Sequence, residues 1–347
     1  MTRRERIELA VDAVFVAAAA LAHFLDWHPV LRFALAALAI AGLARTVGLA
    51  TEQLGGRFGS SGAGAVQSAL GNLPELFIGL FALNDGLIKL VQASLIGSIL
   101  ANSVLVLGLA FTVGGLRHGM QGFDAPRARI IATLAVLGAA ILAVPTLAHT
   151  FHTPAQAHEK TLSLICAGVL LAVFVLTLPG LLQALPGEAE HERPRWSLVT
   201  TLVVLGSTAT GAALVSDWFV SALKPAIEIL HMSESFAGLV VVAIAGNAVE
   251  NVVGVQLAAR NKPDFAISVI VNSSLQVALA LTPALVFLSL LFPVTLTLVF
   301  SPLLAISLLF AAGLAALVVY DGESTWYEGV MLVGLYAVIA ASFWWGA

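Results

Sequence analysis

GNLPELFIG at residues 71–79 and GNAVENVVG at residues 246–254 decide how this chain is read. The second stretch lies 175 residues after the first, counted from Gly71 to Gly246. With that offset held and no gap, Gly71, Asn72, Glu75, Gly79, Ser98 and Leu100 meet Gly246, Asn247, Glu250, Gly254, Ser273 and Leu275. Most of these residues are polar or small, so a shared apolar composition does not account for the matches. Self-similarity at a long fixed period implies two structural halves.

The medium of the fold follows from composition. Of 347 residues 59% are apolar and only 10% are charged, too few to coat a water-soluble surface. Apolar runs broken by Gly, Pro and charge clusters predict an all-α polytopic membrane protein. Eleven spans are expected, at residues 7–25, 30–50, 63–83, 90–114, 128–147, 160–184, 197–216, 236–258, 265–288, 295–320 and 328–345. No separate soluble domain fits beside them. The start, MTRRERIELAVDAVF, has no small-residue cleavage pattern behind its apolar part and reads as an uncleaved first span.

The 16 basic and 20 acidic residues form no long run of either sign, which argues against nucleic-acid binding. The single cysteine, Cys166, excludes a disulfide or Cys-based metal cluster within one chain. Placing the N-terminus in the cytoplasm puts all but Arg32, Lys89, Lys160 and Lys224 of the 16 basic residues on that side. Five expected spans lie within one period, an odd number, so the two GNxxE helices would cross in opposite senses. The expected organisation is an N-terminal helix (1–27), a first repeat (28–184), a short acidic cytoplasmic linker (185–196) and a second repeat of inverted topology (197–347). Such pairs place their substrate near the midplane, where irregular helices of both halves meet.

Nearly all carboxylates fall in expected loops or near span ends, and Glu75 and Glu250 alone are expected deep inside spans. An ionisable group there is expensive and ordinarily faces a cavity, pairs, or carries ions or protons. Two of them at equivalent repeat positions point to one shared site. Gly71, Asn72, Glu75 and Gly79 recur at helical spacing on one face, and Pro74 is expected to loosen that helix by removing a backbone donor. Ala93, Gly97 and Ala101 form a small-residue stripe with Ser98 and Asn102 beside it, and Asn272, Ser273 and Gln276 stand at the corresponding place in the second half. Two carboxylates with several neutral oxygens suit a hard cation such as Ca²⁺.

At these residues the sequence resembles the calcium/proton exchanger family of the calcium/cation antiporter superfamily. The first repeat is carried by GNLPEL with LVQASLIGSILANSVLVLG, the second by GNAVEN with VNSSLQ, and the ending DGESTWYEGVMLVGLYAVIAASFW is also similar. The resemblance implies ten core helices in two inverted halves plus an extra first helix, and alternating access that exchanges cytosolic Ca²⁺ for H⁺. It implies Glu75 and Glu250 as the cation and proton carboxylates. Asn72, Asn247, Ser98, Asn102, Ser273 and Gln276 become secondary ligands or supports. Three features depart from the family pattern: Asn251 where many members have His, Asn272 where Gly is usual, and a linker holding only Glu188, Glu190 and Glu192.

Other readings stand beside these. The secondary set also suits plain helix–helix hydrogen bonding. Glu52, at the end of the second span, reads as an interfacial carboxylate, with a gate or proton-access role as its alternative. His149, His152 and His158 have no metal-ligand spacing on one element and read as solvated loop residues. Trp326, Trp344 and Trp345 suit interfacial belts. The rival functions are Na⁺(K⁺)/H⁺ or Na⁺/Ca²⁺ exchange, a cation channel, and an intramembrane enzyme, for which no nucleophile–base pair or HExxH stands in the spans. The chain is read as a non-enzyme without cofactor whose partners are Ca²⁺, H⁺ and the bilayer, with a homo-oligomer left open. Short loops favour a bacterial-type cytoplasmic membrane over an organelle.

Overall fold

The computed structural model describes residues 1–57, 70–181 and 194–346. The expected span residues 63–69 and linker residues 185–193, with Glu188, Glu190 and Glu192, lie outside the described residues. The chain begins with α1 (Arg3–Phe24), whose first turn is closed by a reciprocal cap: Glu5 N donates to Thr2 Oγ1 at 3.1 Å and Thr2 N to Glu5 Oε2 at 2.7 Å. Then follow α2 (Pro29–Gly55), α3 (Leu73–Asn84), α4 (Ile88–His118), α5 (Ala125–Thr150), α6 (Glu159–Leu181) and α7 (Leu198–Leu230). The remainder is α8 (Glu234–Gly246), α9 (Ala248–Ala259), α10 (Pro263–Leu291), α11 (Pro302–Val318) and α12 (Trp326–Phe343). A two-residue antiparallel ladder joins β1 (Gln121–Gly122) to β2 (Glu323–Ser324).

This is a multi-pass membrane protein. Among the described residues eight helices are long and apolar enough to cross a bilayer, and α8 with α9 makes a ninth if that pair, bent by 63°, counts as one span. The helices α3 and α11 are shorter apolar helices, so length and apolarity alone do not give the expected eleven. Large apolar side chains point outward, among them Ile130 and Leu137 of α5, Phe310 and Leu317 of α11, and Met331 and Val338 of α12. Such faces suit lipid. The 18-residue α12 is about 27 Å long and carries Trp326 at its start and Trp344 and Trp345 just past its end, the spacing of two interfacial belts.

The repeat is legible in the helix bounds. Shifted by 175 residues, both ends of α3 fall on those of α9, and the start of α4 on the start of α10. The same shift carries the π-helical turn Ala101–Val106 of α4 to within a residue of the π-helical turn Val277–Leu281 of α10. A third π-helical turn, Ala237–Val242, lies in α8. Widened turns of this kind gather at functional places in helices.

Contacts divide the chain into two units, Met1–Ala82 with Val173–His231, and Leu83–Ala172 with Met232–Ala347. In the first, α1, α2 and α7 pack together, with Phe33 stacked on Phe219 and His23 on Trp218. The chain enters α7 through Trp196, only 3% exposed, whose indole donates to Glu5 Oε2 at 3.0 Å. Gln53 Oε1 accepts from Arg195 N at 2.7 Å, and Arg57 donates to the Trp196 carbonyl.

In this unit the structure corrects the count of buried carboxylates, for Asp12 lies midway along α1 and is 5% exposed. Arg45 Nη2 donates to its two oxygens at 3.0 and 3.1 Å, and Thr46 Oγ1 to Oδ2 at 2.8 Å. Glu8, one turn earlier, faces the same guanidinium at 3.6 Å. Gly42 gives the carboxylate its room, since a Cβ there would stand 2.6 Å from Asp12 Oδ1 and push it aside. Arg45 therefore belongs to a packed ion pair rather than to a basic loop.

In the second unit α4 and α8 touch backbone to backbone. A Cβ on Gly97 would lie 2.5 Å from Leu239 Cα, and one on Gly238 2.6 Å from the Leu90 carbonyl. The expected helix over 295–320 begins only at Pro302, where Ser301 Oγ accepts from Leu304 N at 3.3 Å. Before it, a β-branched run followed by a proline does not sustain a helix. Its backbone is held by side chains instead: Gln92 Nε2 donates to Thr297 O and Val299 O, both at 2.9 Å. Leu298 N donates to Ser163 Oγ at 2.9 Å, while Thr146 Oγ1 accepts from Phe300 N at 2.9 Å and donates to Leu298 O at 3.2 Å.

Two outcomes follow. Thr146→Val strands Leu298 O and Phe300 N and lowers stability by about 2 kcal/mol in denaturant unfolding of the detergent-solubilised protein. Asp12→Ala, which leaves Arg45 only the longer contact to Glu8, costs about 2 kcal/mol by the same measurement, and adding Arg45→Met recovers most of that loss.

Candidate functional site

The site residues are placed by interruptions in helices. In the first repeat, α3 begins after a turn at Gly71 and Asn72, with Pro74 as its second residue. This corrects the expectation that Pro74 loosens a helix interior: in a first turn its missing N–H has no partner to lose. Glu75 is the third residue of α3 and 7% exposed, while Asn72 is half-buried and its carbonyl accepts from Leu76 N at 3.0 Å. In the second repeat α8 stops at Gly246, Asn247 takes φ −95° and ψ 24°, and α9 begins at Ala248. Glu250 is the third residue of α9 and half-buried. Both carboxylates thus occupy a first turn, where free backbone N–H groups and the helix dipole favour negative charge.

The second unit brings four of the expected residues into one hydrogen-bond network. Asn247 Nδ2 donates to Ala243 O at 2.9 Å and to Ser98 Oγ at 3.0 Å. Asn102 Nδ2 donates to Asn247 Oδ1 and to Ser273 Oγ, both at 3.0 Å, and Ser273 Oγ donates to Asn247 Oδ1 at 3.4 Å. Asn247 and Asn102 are 1% and 0% exposed. The order of donors is imposed from one end. A backbone carbonyl only accepts, so Ala243 O holds the nitrogen of Asn247 and turns its oxygen toward Asn102. That oxygen holds the nitrogen of Asn102, whose own Oδ1 is then left buried with no hydrogen-bond partner among the described residues. Asn102 sits in the widened turn Ala101–Val106, and Ser98 and Ser273 occupy matching repeat positions flanking Asn247.

Among the described residues no hydrogen bond joins Asn272 to this network. Gln276 is half-buried at the end of the regular turns of α10. Asn272 Nδ2 faces Ser268 Oγ at 3.2 Å within its own helix. Glu52 is exposed near the end of α2. His149 pairs with Glu159 at 2.5 Å, and no three His, Cys, Asp or Glu side chains gather among the described residues. Sequence reasoning missed the Ala243 carbonyl as the anchor of the network. The signal was there, since Gly246–Asn247 interrupts an apolar run and an asparagine beside such an interruption tends to bond local backbone.

The sodium/calcium exchanger protein family matches residues 28–182 and 200–345. The chain belongs to that family. It is 33% identical over 371 residues to the Ca²⁺/H⁺ antiporter of Synechocystis sp., covering 99% of this chain and 98% of that one. It is 33% identical over 350 residues to the Ca²⁺/H⁺ antiporter ChaA of Bacillus subtilis, covering 97% and 99%. Its fold matches the structure of native YfkE with a TM-score of 0.85 at 30% identity, over 97% of this chain and 99% of that one. The family's two matched segments enclose the two GNxxE motifs, and the short gap between them falls across the expected linker.

The network makes its own prediction. Asn247→Asp replaces the donor that faces Ala243 O with an acceptor and costs about 2 kcal/mol, whereas Ser273→Ala, which removes a long 3.4 Å donor and one of the two acceptors of Asn102 Nδ2, leaves that nitrogen bonded to Asn247 Oδ1 and costs less. Thermal unfolding of the two purified variants checks the order.

Proposed function

We propose that this chain is a Ca²⁺/H⁺ antiporter that exports cytosolic Ca²⁺ in exchange for protons by alternating access. The observation that carries the reading is the repetition of one carboxylate. Glu75 and Glu250 stand at equivalent repeat positions, each in the first turn of a helix that follows an interruption, and each three residues after an asparagine. The names of the antiporters to which the chain is similar over nearly its whole length support the same choice of substrates. On this reading residues 28–184 and 197–347 are two halves of opposite orientation, and Glu75 and Glu250 bind the same ion.

The chemistry is competition for oxygens. With both carboxylates ionised, the pair neutralises the two charges of a Ca²⁺ that has shed water. Neutral oxygens complete its shell, and Asn102 Oδ1, buried and without a donor among the described residues, is suited to that task. Ser98, Asn247 and Ser273 hold Asn102 in orientation, while Asn72, the repeat counterpart of Asn247, and Gln276 are the further polar groups. Protons arriving from the other side occupy the carboxylate oxygens and displace the cation. Loaded with Ca²⁺, or with a proton on each carboxylate, the pair carries no net charge, so both loaded forms cross the low-dielectric stage while the form with two bare carboxylates does not. Exchange is thereby coupled. The basic residues favour a cytoplasmic N-terminus, and short loops a bacterial-type cytoplasmic membrane.

Proteoliposomes with a preset proton gradient test the reading. Ca²⁺ collapses the gradient and Na⁺ or K⁺ does not, and Glu75→Gln and Glu250→Gln each reduce the response to that of empty liposomes. Collapse by Na⁺ or K⁺ with Ca²⁺ inert, or a Glu75→Gln protein exchanging at the wild-type rate, would defeat it.

A further inference from the structure

One cavity of the second unit is lined by neither the repeated carboxylates nor the amide network. It measures about 490 Å³ and lies where α4 and α8 begin and α12 ends. Ile88 and Lys89, the first two residues of α4, line it together with Glu234 and Ser235, the first two of α8, and Gly346 beyond α12. Ser233 fixes this wall. Its hydroxyl accepts from Phe236 N at 2.9 Å and donates to the Phe343 carbonyl, while Ser233 N donates to Trp344 O at 3.0 Å. The start of α8 is thereby fastened to the end of α12, and Phe236 meets Trp344 edge to face with ring centroids 4.7 Å apart.

Several polar groups of this cavity are left over. Among the described residues no side chain caps α4 at Leu87, and its first helical bond runs from Val91 N to Leu87 O at 3.1 Å. The amides of Ile88, Lys89 and Leu90 therefore stand free of helical acceptors, at the end of a helix that draws anions. Ser235 is 6% exposed, yet its hydroxyl makes no hydrogen bond among the described residues. Exposed Lys89 and half-buried Glu234 line the same space, and among the described residues they form no ion pair with each other. Opposite charges that share a cavity and stay apart are complementary to a ligand that carries both.

The depth of the cavity says what such a ligand is. Trp344 and Trp345 adjoin Gly346, so the cavity opens at the level of an interfacial belt, where phospholipid headgroups lie. The exposed residues Met331, Val338 and Trp345 recur every second turn of α12 and give acyl chains a path away from it. We propose that this cavity binds an amino-phosphate headgroup, as carried by a phosphatidylethanolamine-type lipid of the bilayer. The phosphodiester takes the free amides of α4 and the Lys89 ammonium, and the Ser235 hydroxyl donates to one of its oxygens. The primary ammonium donates to Glu234. A quaternary amine has no N–H to give that carboxylate, and an anionic headgroup without an amine meets it as a like charge. A lipid seated there bridges the starts of α4, which carries Asn102, and of α8, which leads into Asn247.

The test is native mass spectrometry of the purified full chain in detergent, titrated with phosphatidylethanolamine, phosphatidylcholine, phosphatidylglycerol or soluble phosphoethanolamine, with Ca²⁺ binding measured in parallel. The wild type is expected to bind phosphatidylethanolamine about tenfold more tightly than the other two lipids. Lys89→Gln weakens phosphatidylethanolamine and phosphatidylglycerol alike by about tenfold, whereas Glu234→Gln weakens phosphatidylethanolamine alone and abolishes the preference. Ser235→Ala, which removes one donor and no charge, weakens both lipids by a smaller factor. Equal binding of the three lipids by wild type, or a preference that survives both charge substitutions, would reduce the contact to nonspecific solvation of the belt and overturn the proposal. Phosphoethanolamine bound as tightly as the lipid would keep the amino-phosphate site and overturn the lipid as its source. A Glu234→Gln protein that loses Ca²⁺ affinity while its lipid binding is unchanged would make the cavity a cation vestibule and overturn the proposal as well.

Discussion

A helix interrupted inside a hydrocarbon layer leaves carbonyls that no water reaches, and each must find a donor within the protein. At the break between α8 and α9 that demand is met by asparagine side chains, beginning with Asn247 on the Ala243 carbonyl. The network of Asn247, Asn102, Ser98 and Ser273 is oriented from this contact. The acceptor at one end sets Asn247, Asn247 sets Asn102, and the two serines at matching repeat positions close the network. The outcome is a buried amide oxygen with a determined direction, arising from the same constraint that makes intramembrane loops rare.

The same accounting explains two parts of the fold away from the site. The stretch before Pro302 runs through the second unit without helical bonds, and Gln92, Thr146 and Ser163 supply its backbone with partners. Their long-range contacts replace what a local helix would have provided. In the first unit Asp12 and Arg45 neutralise one another between α1 and α2, with Thr46 and the space at Gly42 completing the fit. That pair is a structural charge, held between two helices. Asp12 has a guanidinium and a hydroxyl, and Glu75 and Glu250 stand in first turns, where the helix dipole favours a negative charge.

Much of this was legible in the residues. The 175-residue offset predicted matching halves, and the bounds of α3 and α9 obey it at both ends. The clustering of Asn72, Glu75, Asn247, Glu250, Ser98 and Ser273 at repeat positions identified the polar set before any geometry was known. What misled was local. Pro74 reads as a kink when the helix start is unknown, the run before Pro302 reads as a span because apolarity does not distinguish helix from buried extended chain, and Asp12 escaped attention because its partner lies 33 residues away.

The sequence by itself determined the medium, the two-fold repetition and the residue types at the site, because composition, period and spacing are properties of a chain read along its length. Only the tertiary structure decided which end of each amide faces which neighbour, which carboxylate is neutralised and where a helix truly begins. Those depend on donors and acceptors brought together from distant segments, and a hydrogen bond is set by distance and direction in space rather than by separation along the chain.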